Sequence, residues 1–180
     1  MGKPKEGALM PDGRKMIEHV IKPLVELCQK IVIVGNCRGF FIPPQQKFIA
    51  LPDDPPGRGP LSAIATLLKS GIDKDGYVVT ACDQPFLTPD LLLLLLEGKP
   101  SVPRIFKQDM DEMMTPLPGY YPVCWLSKIK GELESGEYSL CNAILKSAFE
   151  TVLLPRESRG LIRNINTLTD LETFASGQNR

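Results

Sequence analysis

Apolar residues fall into short continuous runs separated by stretches with helical spacing. A short apolar run bounded by glycine, proline or aspartate is typical of a strand buried on both faces. Such runs predict strands at Ile31–Val34, Phe48–Leu51, 77–82, 102–106 and 151–154. Helical spacing begins with Met16, Val20, Leu24 and Leu27, which predict a helix ending at Cys28. Further helices are predicted at 61–68, 124–133, 140–149 and 169–174.

Thr88, Pro89 and Asp90 form the start signal of another helix. A threonine hydroxyl caps the first N–H groups, proline suits the first turn, and an acid is favoured at the positive end of the helix dipole. We expect the leucine run at 91–96 to form this helix and to be buried nearly all round.

Strands that alternate with helices predict an α/β fold in one domain spanning residues 1–180, with no linker that divides it. We expect a Rossmann-like three-layer sandwich, in which a mostly parallel sheet carries helices on both faces. In such folds ligands bind beyond the carboxyl ends of the strands. The residues that follow each strand are therefore the candidates for function.

Composition narrows the class of protein. The chain has 180 residues, of which 43% are hydrophobic and 23% charged, as in a soluble globular domain. Lys plus Arg equals Asp plus Glu at 21 each, so no overall field attracts nucleic acid or an anionic membrane. The five cysteines are odd in number and form no CxxC pair, which argues against a disulfide framework or zinc site and favours the cytoplasm.

Asp83 follows the predicted strand 77–82 and precedes a proline by two positions. A carboxylate there suits a Mg²⁺ ion shared with phosphate oxygens, because magnesium prefers hard oxygen ligands and keeps several waters. The alternative is that Asp83 merely caps a turn, and the local sequence leaves both interpretations open.

The segment DDPPGRGPL follows the strand Phe48–Leu51. Its glycines let backbone N–H groups approach an anion, Arg58 supplies charge, and a helix begins directly afterwards. These features predict a rim that binds phosphate or a base, although an ordinary Pro/Gly loop with a solvated Arg58 accounts for the same residues. His19, the one histidine of the sequence, has no apparent nucleophile beside it and is interpreted as structural.

Six motifs occur in one order along the chain: MGKPK, GRGPL, ACDQPFLTPDLL, PLPGYYP, GEYSL and NINTLTDLE. In this order they resemble the molybdenum cofactor guanylyltransferases and related nucleotidyltransferases. The resemblance covers nearly the whole chain. It implies a Mg²⁺-dependent transfer of GMP from GTP to molybdenum-bound molybdopterin, with release of pyrophosphate. It also implies, as partners, the molybdoenzymes that receive the product or their chaperones.

The resemblance assigns roles to individual residues. Asp83 matches the magnesium-binding aspartate, and Lys5 matches a lysine that contacts the phosphates, so these two are the implied catalytic residues. Asn166 lies where the family contacts the pterin. The implied nucleotide-binding residues are Lys5, Asn36, Asp53, Arg58, Gly59, Pro60, Leu61 and Asp83, with Asp54 as an alternative to Asp53.

The sequence also departs from the family at its beginning. Family members start with an apolar strand and a Gly-Gly loop that leads into Met-Gly, whereas this chain begins at that Met. We expect an upstream start codon; the alternatives are a degenerate relative and a different segment that fills the gap. Two alternative functions stay open: a CTP-dependent cytidylyltransferase or related small nucleotidyltransferase, and an inactive, truncated binding protein.

Overall fold

The structure is a computed structural model that describes residues 7–35, 47–54, 56–97, 101–108, 114–167 and 170. The helices are α1 Met16–Leu27, α2 Gly59–Lys69, α3 Pro89–Leu93, α4 Leu126–Glu134 and α5 Leu140–Leu145. The strands are β1 Ile31–Val34, β2 Phe48–Leu51, β3 Gly76–Val79, β4 Arg104–Lys107, β5 Met114–Pro122 and β6 Glu150–Leu153. Two 3-10 helices lie at Val123–Trp125 and Arg156–Ile162. The helix expected at 169–174 lies almost entirely outside the described residues.

The strands form two sheets. β1 and β2 pair in parallel, and the other four pair in the order β3-β5-β4-β6. β5 is antiparallel to β3 and β4, whereas β4 and β6 are parallel. Within the larger sheet β3, β4 and β6 therefore run in one direction and β5 alone runs in the other.

Neighbouring residues of the larger sheet face different cores, as the alternation of side chains along a strand requires. Ile105 and Tyr121 pack on one face against α2, α4 and α5. Phe106 and Tyr120 pack on the other face against α3 and the segment at Ile162. Helices thus cover both faces of the sheet, and the expected α/β architecture is confirmed.

β5 is the element that the sequence did not predict. Its prolines argue against a strand between two neighbours, because proline cannot donate to the hydrogen-bond ladder. The pairing with β4 jumps from Ile105↔Gly119 to Phe106↔Thr115, so residues 116–118 form a bulge outside the ladder. Pro116 and Pro118 lie in that bulge, where no ladder N–H is needed. The bulge therefore explains how a proline-rich segment serves as an interior strand.

A cavity of about 410 Å³ is lined by residues from both sheets. Its lining includes Ile31 and Val32 of β1 and the first three residues of β3. Leu24, Leu67 and Leu96 contribute to its apolar lining. In the described part of the chain, β1 and β3 each pair with a strand on one side only.

Two expectations about β3 and α3 were wrong. β3 ends at Val79, so Cys82, which was expected in the core of a strand, is exposed in a turn. The leucine run is helical only to Leu93, and Leu93 and Leu96 are 45% and 37% exposed. The cap itself is as expected, because the Thr88 hydroxyl accepts a hydrogen bond from the backbone N–H of Leu91. Across the described ranges, no helix has the length and apolar character needed to span a bilayer.

Candidate active site

One segment with predicted site residues is the loop between β2 and α2, which we call the Asp53 loop (residues 52–60; residue 55 lies outside the described residues). Asp53 is half-buried, and its Oδ2 accepts a hydrogen bond of 3.0 Å from the backbone N–H of Gly57. Its Oδ1 is buried and has no hydrogen-bond partner among the described residues. The carboxylate of Asp53 thus closes the loop through Oδ2.

Asp54 has a different position. Its side chain is exposed, while its backbone N–H and C=O contact the Thr66 hydroxyl of α2 at 3.3 and 3.1 Å. Asp54 therefore fixes the end of the loop to the helix through its main chain. Of the two aspartates, Asp53 is the one whose carboxylate contacts the loop that precedes α2.

Arg58 lies at the start of α2 between two glycines of unusual conformation. Gly57 and Gly59 have φ of 72° and 80°, which non-glycine residues seldom adopt, and Pro60 occupies the first turn of α2. The Arg58 guanidinium donates a hydrogen bond to the hydroxyl of Tyr138 and lies over its ring, 4.8 Å from the centroid. Leu61 is fully buried and anchors the beginning of α2 in the core.

A second segment with a predicted site residue is the turn after β3, which we call the Asp83 turn (residues 81–84). Asp83 is half-buried, and its backbone C=O accepts a hydrogen bond of 2.8 Å from the N–H of Ile165. This contact brings together Asp83 and the NINT segment, which are far apart in sequence. The structure thus places two of the predicted site residues, Asp83 and Asn166, on adjoining segments.

Gln84 is a residue that sequence reasoning did not single out. It is 1% exposed, and its Oε1 accepts a hydrogen bond from the N–H of Ala81 at 3.1 Å. Its Nε2 donates to the C=O of Leu117 at 2.6 Å and to the C=O of Ile162 at 3.2 Å. Leu117 lies in the bulge of β5, so Gln84 ties the Asp83 turn to two remote segments. Nothing local in CDQP distinguishes this buried amide from an exposed one.

Asn166 lies in a turn held by Asp170. The Oδ2 of Asp170 accepts hydrogen bonds of 2.8 Å from the N–H groups of both Asn166 and Thr167. These bonds, first of all the one from Asn166, lower the pKa of the Asp170 carboxyl. The side chain of Asn166 is exposed. The motif NINT is therefore a fixed turn beside Asp83.

Two of the proposed nucleotide contacts, Lys5 and Asn36, lie outside the described residues. His19 pairs with Asp12 across 3.1 Å at the start of α1.

The aromatic residues Tyr121 and Trp125 stack with ring centroids 5.4 Å apart inside the core.

The residues present suit a magnesium ion shared with a nucleotide. No cluster of three or more His, Cys, Asp or Glu side chains suitable for a metal ion occurs among the described residues. Magnesium in phosphate-transferring sites takes one or two carboxylates and completes its shell with phosphate oxygens and water. The half-buried Asp83 could provide such a carboxylate, and its main chain is held by Ile165.

Comparison with known sequences decides the family. The profile of the MobA-like NTP transferase domain matches residues 1–151. The chain belongs to this family. A probable molybdenum cofactor guanylyltransferase of Rhodopirellula baltica is 29% identical over 181 aligned positions, which cover 95% of this chain and 83% of that protein. The expected class of enzyme, a nucleotidyltransferase, is thereby confirmed.

Solved structures share the fold. The molybdopterin-guanine dinucleotide biosynthesis protein A of Archaeoglobus fulgidus superposes with a TM-score of 0.74 at 21% identity, covering 99% of this chain and 92% of that one. The 2-C-methyl-D-erythritol 4-phosphate cytidylyltransferase of Thermus thermophilus superposes with a TM-score of 0.72 at 14% identity, covering 98% and 95%. The chain therefore shares its fold with both proteins.

Proposed function

We propose that this nucleotidyltransferase moves GMP from GTP to molybdenum-bound molybdopterin and so forms the guanine dinucleotide cofactor. The observation that carries the proposal is a hydrogen-bonded carboxylate or turn after each of two strands: Asp53 bonds Gly57 before the start of α2, and the C=O of Asp83 accepts a bond from Ile165 of the NINT turn. The Rhodopirellula relative bears the name of this activity and aligns with nearly the whole chain.

In the proposed reaction, the terminal phosphate of molybdopterin attacks the α-phosphorus of GTP. A new P–O bond forms to the molybdopterin phosphate, the bond to the β-phosphate breaks, and pyrophosphate leaves. The attacking phosphate is already ionised near neutral pH, so no general base is required. Catalysis then consists of positioning and of offsetting negative charge.

The chain's own residues divide this work. The Asp53 loop holds the nucleotide through Asp53, Arg58 and the turn formed by Gly59, Pro60 and Leu61, while Lys5 and Asn36 add contacts to it. Asp83 holds the magnesium ion, which when bound neutralises charge on the phosphate oxygens. Lys5 offsets charge on the departing pyrophosphate, and Asn166 contacts the pterin side.

Thermal unfolding with Mg²⁺ and GTP, CTP or ATP tests the choice of nucleotide, because a ligand that binds the native state raises the melting temperature. We expect GTP to give the largest rise. The same experiment with Asp53→Asn should abolish most of the rise. A larger rise in melting temperature with CTP than with GTP would indicate cytidylyl transfer in place of guanylyl transfer. An equal rise with all three nucleotides would show that the protein does not select the base.

A further inference from the structure

Tyr138 lies outside the two loops assigned to the site, in the turn between α4 and α5, yet it contacts Arg58 across 80 positions of sequence. The contact has two components: a hydrogen bond between the guanidinium and the phenol oxygen, and stacking of the guanidinium over the ring. Both side chains are exposed, and Tyr138 is 38% exposed to solvent. An exposed arginine without such a contact samples many rotamers.

Neither neighbour of Arg58 in the sequence has a side chain that could hold its guanidinium. Both neighbours are glycines with positive φ, and a Cβ added to either would meet no atom within 4 Å. Among the described residues, Arg58 forms no ion pair with a carboxylate. The charge is therefore held in place by Tyr138 while remaining available to an anion.

The turn that carries Tyr138 is itself held firmly. Glu137 accepts hydrogen bonds from the N–H of Ser139 at 2.8 Å and from the side chain of Asn142 at 3.0 Å. These bonds, the one from Ser139 foremost, lower the pKa of Glu137. The Nζ of Lys146 forms ion pairs with Oε2 of Glu137 at 3.4 Å and with Oε2 of Glu132 at 2.9 Å. Glu132 is only 7% exposed. Tyr138 thus projects from a fixed support on α4 and α5.

We propose that Tyr138 is a positioning residue for nucleotide binding, which holds the Arg58 guanidinium in place for the triphosphate. The inference rests on the proposed function of the Asp53 loop. Fixing the arginine before the ligand arrives reduces the conformational entropy that binding would otherwise cost. Tyr138 acts through Arg58, so its removal should affect the KM for the nucleotide much more than kcat.

A double-mutant cycle tests this coupling, with Tyr138→Leu, Arg58→Gln and the combined variant measured in the full chain. Tyr138→Leu should raise the KM for GTP by about fivefold, as expected for loss of an exposed cation–π contact and a hydrogen bond. Tyr138→Phe keeps the ring and should have about half that effect on a logarithmic scale. In the Arg58→Gln background, Tyr138→Leu should not raise the KM for GTP any further.

Lys69→Gln is the matched control, because it removes an exposed cation at the far end of α2 and should leave KM unchanged. An unchanged KM for Tyr138→Leu, or an equal rise with and without Arg58, overturns the inference while leaving guanylyl transfer intact. Absence of turnover in the wild-type protein with GTP, CTP and ATP overturns the proposed function itself, so the two failures are distinguishable. If CTP is the substrate, the KM for CTP becomes the measured quantity.

Discussion

The Asp53 loop and the Asp83 turn both follow strands, but different parts of the chain hold them. The Asp53 loop is closed by a contact over four positions, from Asp53 to Gly57, and the adjacent Asp54 is fixed over twelve positions, to Thr66. The Asp83 turn is held by remote segments. Gln84 donates hydrogen bonds to the C=O groups of Leu117 and Ile162, and the N–H of Ile165 donates one to the C=O of Asp83. Local sequence therefore shapes the Asp53 loop, and the completed fold shapes the Asp83 turn.

Asp83→Asn should have the largest effect on catalysis, because the neutral amide is a poor magnesium ligand. We expect kcat to fall by about 1,000-fold, in the range seen when charge stabilisation of a transition state is removed. The melting temperature without nucleotide should change little. Asp90→Asn, an exposed acid seven positions later, is the matched control. A variant Asp83→Asn that retains more than a tenth of wild-type kcat would contradict the assigned role.

Gln84→Leu should damage stability and activity together. It leaves the N–H of Ala81 and the C=O groups of Leu117 and Ile162 without their partner, and each buried unsatisfied group costs about 1–3 kcal/mol. We expect the free energy of unfolding to fall by about 3 kcal/mol, measured by urea denaturation, and kcat to fall by about 100-fold. Gln29→Leu, at an exposed position, should change neither the free energy of unfolding nor kcat. Full activity of folded Gln84→Leu would show that long-range contacts do not place Asp83.

Asp53→Asn and Asp54→Asn form a matched pair in the Asp53 loop. Loss of the Asp53 charge should raise the KM for GTP by about tenfold, as removal of a charged hydrogen-bonding group does. Asp54→Asn should change KM by less than about twofold, because its structural contacts use the backbone. A larger effect at Asp54 would reverse the assignment.

Glu132→Gln should produce the smallest effect, and that effect should depend on pH. Hydrogen bonding to Lys128, and then to Lys146, lowers the pKa of Glu132 below its ordinary value of 4.5. Its contribution to stability is therefore present above pH 4.5 and is lost as pH falls through the lowered pKa. Thermal melts should show a small difference between wild type and Glu132→Gln at pH 7 that disappears toward pH 3. A difference that grows on acidification would contradict this account.

The Asp53 loop and the Asp83 turn also mark the limit of prediction from sequence. β1 and β2 match their expected bounds, since short apolar runs ending in Gly35 or Pro52 have few other interpretations. The Asp53 loop was predicted for the same local reason. β5 was missed because Pro116 and Pro118 are accommodated by a bulge against β4, and Gln84 because its burial depends on β5 and the 3-10 helix. The bulge of β5 and the burial of Gln84 arise only when segments distant in sequence pack together.

The measurement that tests the central claim most directly is pyrophosphate release by the purified protein supplied with Mg²⁺, molybdenum-bound molybdopterin and one nucleotide at a time. Guanylyl transfer predicts release with GTP that requires the molybdopterin acceptor, far less with CTP or ATP, and almost none with Asp83→Asn. Release that is confined to CTP, or that does not depend on molybdopterin, would contradict it.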